Sequence, residues 1–193
     1  MTRHAPRLAA VAFAALPLSA HAAADDGSFA VDGVGRAACS DFNAAVEARD
    51  ERLVNAFGSW TSGFLSAANA LSPQTFDLTP WQSEGLIMSQ MQNYCAQNAE
   101  VPYVDAIARL IQALSPTKLA ASAALTTLGS GDGAVQVYEP VVQGIRDALT
   151  EQGFEVAEGD MGLAEALTDF QSANDLEETG TPDQRTLAAL FLR

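Results

Sequence analysis

The sequence predicts an all-α protein made of two small helical domains, a four-helix domain held by a disulfide and then a three-helix bundle. Three observations lead there. Apolar residues recur at three-, four- and seven-residue steps along most of the 193-residue chain, which places them on one face of a helix. No stretch carries a strand pattern strong enough to set against the helical ones. Threonine followed by proline, with glutamine three residues after the threonine, suits a helix start and occurs at Thr79-Pro80-Trp81-Gln82 and again at Thr181-Pro182-Asp183-Gln184.

Composition narrows the function. Apolar residues make up 48% and charged residues 18%, as in a globular protein. Acids outnumber bases 24 to 10, for a net charge of −14. That balance argues against a nucleic-acid backbone or an anionic membrane surface as partner.

Residues 1–22 read as a cleaved secretory signal peptide. Arg3 and Arg7 supply a positive start, Leu8 to Leu18 an apolar stretch, and Ala20-His21-Ala22 a small-x-small cleavage pattern. The apolar stretch is shorter than the ~20 residues of a membrane span, and no later segment is long and apolar enough to serve as one. The expected location is therefore periplasmic. Cleavage removes both histidines, His4 and His21, and with them any Ser-His-Asp triad or histidine-bound zinc. It also leaves 8 bases against the 24 acids, a net charge of −16. Cys39 and Cys95 are then an even pair in an oxidising compartment, which suggests one disulfide. Two free thiols are the alternative. A crosslink over a loop of this length is worth roughly 4 kcal/mol in the chain-entropy picture.

Residues 23–35 are small and acidic and are expected to form a flexible N-terminus. The first domain is placed at 36–114. Cys39, Phe42, Val46, Leu53 and Phe57 share a face of its first helix, and Gly58-Ser59 is the expected break. Trp60, Phe64, Leu65, Ala68 and Leu71 continue as a second helix. A third starts at Thr79-Pro80-Trp81-Gln82 and carries Leu86, Ile87, Met91, Tyr94 and Cys95. A fourth carries Val104, Ile107, Leu110 and Ile111. The disulfide would tie the first helix to the third, which suits a domain too small to be stable on burial alone.

Residues 115–133 read as a connector, rich in Ala, Ser, Thr and Gly, in which Ser115-Pro116 can start a short helix reaching about Leu128. The second domain is placed at 134–193. Val141, Val142, Ile145, Ala148 and Leu149 form a helix closed by Gly153. Leu163, Ala166, Leu167 and Phe170 form another. Thr181-Pro182-Asp183-Gln184 opens a third, with Leu187, Leu190 and Phe191.

The second domain also carries Phe170-Gln171, then Leu176, Thr179-Gly180, Asp183, Thr186-Leu187 and Leu190, with Gly153-Phe154 after its first helix. At this spacing, over Val142 to Leu190, it resembles the three-helix peptidoglycan-binding domain often appended to cell-wall hydrolases. The resemblance implies peptidoglycan as partner, with Gln171 and Arg185 as the candidate wall-facing side chains and the other motif residues mainly structural. Two departures stand out. The Gly-x-x-Thr element usual before the Phe-Gln helix is replaced by Gly159-Asp160-Met161-Gly162, in a loop about two residues short. Arg146 takes a position usually held by glutamine. Residues 138–193 also carry 12 acids and 3 bases, so long-range attraction to wall carboxylates is absent. Whether the groove beside Phe170-Gln171 is open, or filled by Met161 and Leu163, would tell a wall-binding unit from a structural or protein-interaction module.

The first domain is similar to small periplasmic helical proteins that include the acid-stress chaperone HdeA and the Tai-type immunity proteins. The similarity rests on Cys39, Trp60, Gly63, Asn69 and Tyr94-Cys95-x-x-Asn98, with Ala99 where proline is common. It implies a disulfide-linked helical domain that engages an unidentified periplasmic protein, as a chaperone or an immunity factor would. No nucleophile elbow, phosphate loop or metal-ligand cluster occurs in the sequence. No catalytic residue, metal or cofactor is expected, and the reading is of a protein that is not an enzyme.

Overall fold

The computed structural model describes residues 28–192. The signal-peptide reading of residues 1–22 lies outside them. The described chain is mostly helical, as expected, with a small two-stranded sheet between two groups of helices.

The first group comprises α1 (Cys39–Glu47), α2 (Glu51–Leu71), α3 (Glu84–Gln97) and α4 (Tyr103–Leu114). The break between α1 and α2 falls before the expected one. Arg49 takes a left-handed φ of 54° and ends α1. Asp50 then accepts the Leu53 N–H and starts α2, a common N-cap arrangement. Gly58 lies inside α2 as an unbroken helical residue. Its missing side chain makes room for a neighbour, because a β-carbon there would come within 2.7 Å of Glu84 Oε1. The start of α3 also differs from expectation. Ser83 caps it by accepting the Leu86 N–H, and Thr79-Pro80 belongs to the preceding loop, where Asp77 Oδ1 accepts the Thr79 N–H.

Cys39 and Cys95 form the disulfide, joining α1 to α3. They lie in a core with Phe42, Phe57, Met91, Tyr103 and Ile107. The Tyr103 ring is at its centre, 4.7 Å from Phe57 and 5.3 Å from Phe42. Its hydroxyl is 3.0 Å from Thr61 Oγ1. Burial raises the Tyr103 pKa to about 12, partly offset by the Thr61 hydrogen bond. From Phe29 onward the N-terminal segment is docked on this core and does not hang free. Phe29 packs against Phe64, the Trp60 indole N–H donates to the Asp32 carbonyl, and Gly35 leaves space that the Trp60 ring occupies.

The region read as a connector contains one strand, and the start of the stretch read as the second domain contains another; the sequence reading anticipated neither. The helix expected from Ser115 is one short 3-10 turn, Ser115–Thr117. Beyond it, β1 (Leu125–Leu128) pairs antiparallel with β2 (Val135–Tyr138), Leu125 opposite Tyr138 and Leu128 opposite Val135. Thr126, Thr127, Val135 and Val137 are β-branched, and Gly129 and Gly131 turn the chain with φ of +80° and +59°, so local preference and turn chemistry agree.

The second group comprises α5 (Glu139–Glu151), α6 (Gly159–Ala173) and α7 (Gln184–Phe191). Its core gathers Ile145, Leu149, Leu163, Leu167, Phe170, Leu187 and Leu190, with Leu128 and Val137 of the hairpin among them. The hairpin is thus packed as part of this core. The two helical groups also touch. Trp81 packs on Phe191, ring centroids 5.2 Å apart, Phe76 meets Tyr138 edge-on, and the Ser83 N–H donates to Gln184 Oε1.

Candidate functional site

The motif residues converge on one turn. α6 delivers Gln171 to the interior, where it is fully buried. Its Nε2 donates within a ring of acceptors: Thr179 Oγ1 at 2.9 Å, the Thr181 carbonyl at 3.0 Å and Thr186 Oγ1 at 2.9 Å. Its Oε1 accepts the Gly180 N–H at 2.8 Å. Gly180 has a φ of +63°, a conformation that costs other residues energy. Asp183 closes the arrangement as N-cap of α7. Its Oδ1 accepts the Arg185 and Thr186 N–H groups, and its Oδ2 accepts the Thr186 and Thr179 hydroxyls. The helix expected from Thr181 therefore starts two residues later, and Thr181 is buried.

Gln171 is consequently not on the surface, a correction to its expected place facing the wall. A buried amide must spend its hydrogen bonds inside, and this one joins α6 to the 179–186 segment. Gly153 ends α5 with a φ of +88°. Phe154 meets Phe170 edge-on at 5.6 Å. Leu176 packs against the core, and Phe170, Leu187 and Leu190 belong to it.

Arg185 is exposed at the start of α7. With Leu176, Glu177, Thr179, Asp183 and Gln184 it lines an open depression of about 300 Å³. A second, smaller hollow of about 120 Å³ lies between α6 and the hairpin, floored by Leu163 and Leu167 and bounded by Gly129 and Gly180. The hairpin turn presses close here, since a β-carbon on Gly129 would lie 2.5 Å from Thr181 Cγ2. Met161 does not fill it, being 82% exposed, whereas Leu163 is in the core.

The two departures from the family pattern compensate each other. The Arg146 guanidinium donates to the Ala157 carbonyl at 3.1 Å and to the Gly159 carbonyl at 2.7 Å. It pins the shortened loop to α5, with two strong charge-assisted bonds. Gly162 lets the loop fold tightly on α6, because a β-carbon there would be 2.5 Å from the Ala157 carbonyl oxygen. The sequence showed both residues, but only as deviations.

Among the described residues, no group of three or more His, Cys, Asp or Glu side chains is placed to hold a metal ion. None of the described helices is long and apolar enough to cross a membrane. Neither a curated protein nor a solved structure gives a significant match to the chain. A family model does match α5 to α7: residues 139–190 fit the family described as "Putative peptidoglycan binding domain".

Proposed function

We propose that this is a non-catalytic periplasmic protein that docks on peptidoglycan through its C-terminal unit and presents its N-terminal helical unit to a partner protein. The family match at residues 139–190 carries this reading. The division into a helical domain at 36–114 and a wall-binding domain at 134–193, with the exported location, is part of the proposal. A buried disulfide supports an extracytoplasmic site. The docking surface is the depression beside Arg185. Its guanidinium is one of three bases in residues 138–193, and peptide carboxylates of the wall are suitable acceptors. The hollow between α6 and the hairpin is the smaller of the two, about 120 Å³ against about 300 Å³ beside Arg185, which favours the Arg185 side. Attachment to the wall would raise the concentration of the N-terminal unit near wall-associated partners.

The test is pelleting with purified insoluble sacculi. The chain should sediment with sacculi and stay in solution once they are digested with a muramidase. Arg185→Glu should cut the pelleted fraction several-fold while keeping the native circular dichroism spectrum. Failure of the native chain to pellet at low or moderate salt would sink wall docking. The second reading would then hold, in which the C-terminal unit is an internal structural module. The hairpin packed over α6 favours that alternative.

A further inference from the structure

A separate cleft of about 370 Å³ opens between the two helical groups. Trp81 and Phe191 supply aromatic walls, and Leu110, Leu114 and Val141 supply aliphatic ones. No charged side chain lines it, although the chain carries 34 charged residues. Its polar groups are mostly spent: Gln82 Oε1 accepts the Trp81 backbone N–H, and the Thr117 hydroxyl donates to the Leu114 carbonyl. Gln90 is different. Gln90 is among the residues lining the cleft, and its Oε1 lies buried behind that wall without a donor. A buried unpaired acceptor is costly and a small turn of the amide would offer it to a ligand.

We propose that this cleft binds a neutral, mostly apolar small molecule carrying one N–H or O–H group, which donates to Gln90. The size falls in the range of small-molecule sites. The uncharged wall selects against ions, because a charge moved there would lose its hydration with nothing to pair with. The net negative charge of the chain opposes anions further. This assignment is independent of wall docking, which uses the opposite end of α7.

The probe is N-phenyl-1-naphthylamine, neutral and apolar with one N–H, titrated into the full chain. Its fluorescence should rise and saturate at one probe per chain. In Trp60→Phe, where Trp81 is the remaining tryptophan, Trp81 emission should fall as the probe binds. Gly144→Leu should weaken binding at least tenfold, because Gly144 lines the cleft and a β-carbon there meets only Phe191, at 3.9 Å. Its fold is checked by circular dichroism. Ala113→Trp, on the opposite wall, serves if that variant does not fold. The anionic analogue 1-anilinonaphthalene-8-sulfonate should bind at least tenfold more weakly than the neutral probe. No saturable signal, binding unchanged by both filling variants, or equal binding of the anionic probe would overturn the proposal. So would a dimer, seen by light scattering, that Gly144→Leu dissolves, since a second copy would then cover the cleft.

Discussion

Gln171 shows how a polar residue can be central to a fold and invisible as such in sequence. Its neighbours in the motif, Thr179, Gly180, Asp183 and Thr186, were legible as a pattern. That they point inward at one amide was not, because a lone glutamine ordinarily reads as solvated. Only the meeting of α6 with the turn before α7 buries it. Gln171→Met keeps the size and removes the hydrogen bonds. It should cost about 2–4 kcal/mol, since one or two buried groups lose partners at roughly 1–3 kcal/mol each. Urea unfolding measures this, and a loss below about 1 kcal/mol would mean the network is dispensable. Tyr103 makes a second prediction at this scale. Its folded pKa of about 12 lies above the ordinary 10.0, so folding favours the neutral phenol. That contribution is fully present below pH 10. It is lost as pH rises through 12, because the unfolded chain ionises first. Two pKa units correspond to about 2–3 kcal/mol. Unfolding free energies at pH 9 and pH 12 should show a drop of that size in the native chain and a smaller one in Tyr103→Phe; equal drops would remove Tyr103 as the cause.

At the scale of elements, the helices were readable from their apolar spacing and their ends were less so. Gly58 is the conspicuous helix breaker in the sequence, yet α2 runs through it, and Arg49 and Asp50 make the break instead. A glycine inside a helix costs about 1 kcal/mol, but a β-carbon here would press on Glu84 Oε1 at 2.7 Å. Thr79 and Ser83 are both able to cap, and the loop that pairs Asp77 with Leu119 decides for Ser83. The strands were missed because each is only four residues long, too short for alternation to show. They stand because Leu128 and Val137 enter the core of α5 to α7; an isolated hairpin would be marginal. The Cys39–Cys95 pairing was legible, and its consequence belongs to this scale too. Replacing both cysteines by alanine frees α1 from α3 in the unfolded chain and should cost about 2–4 kcal/mol in urea unfolding. A midpoint unchanged from the native chain would show that the four-helix core holds without its staple.

For the molecule as a whole, the question is whether two cores behave as one. The sequence indicated two units and was silent on their contact, because Trp81 reads there as the first turn of a helix. In the structure it stands in a loop of the first unit and packs on the core of the second, against Phe191. Other links at this end are polar or peripheral, such as Ser83 to Gln184 and Phe76 on Tyr138. Trp81 is half-buried, and an aromatic ring packed at such a contact carries a large share of its energy. With Trp81 in place, the two units should unfold together, so that circular dichroism, which senses all helices, and tryptophan fluorescence give coincident urea transitions. In Trp81→Ala the remaining tryptophan, Trp60, reports only on the first core. The two transitions should then separate, the disulfide-stapled unit persisting to higher urea while α5 to α7 melt earlier. Coincident transitions in that variant would place the coupling elsewhere, in the chain between α4 and the hairpin. Non-coincident transitions in the native chain would show that the units were never coupled, and that Trp81 merely rests on its neighbour.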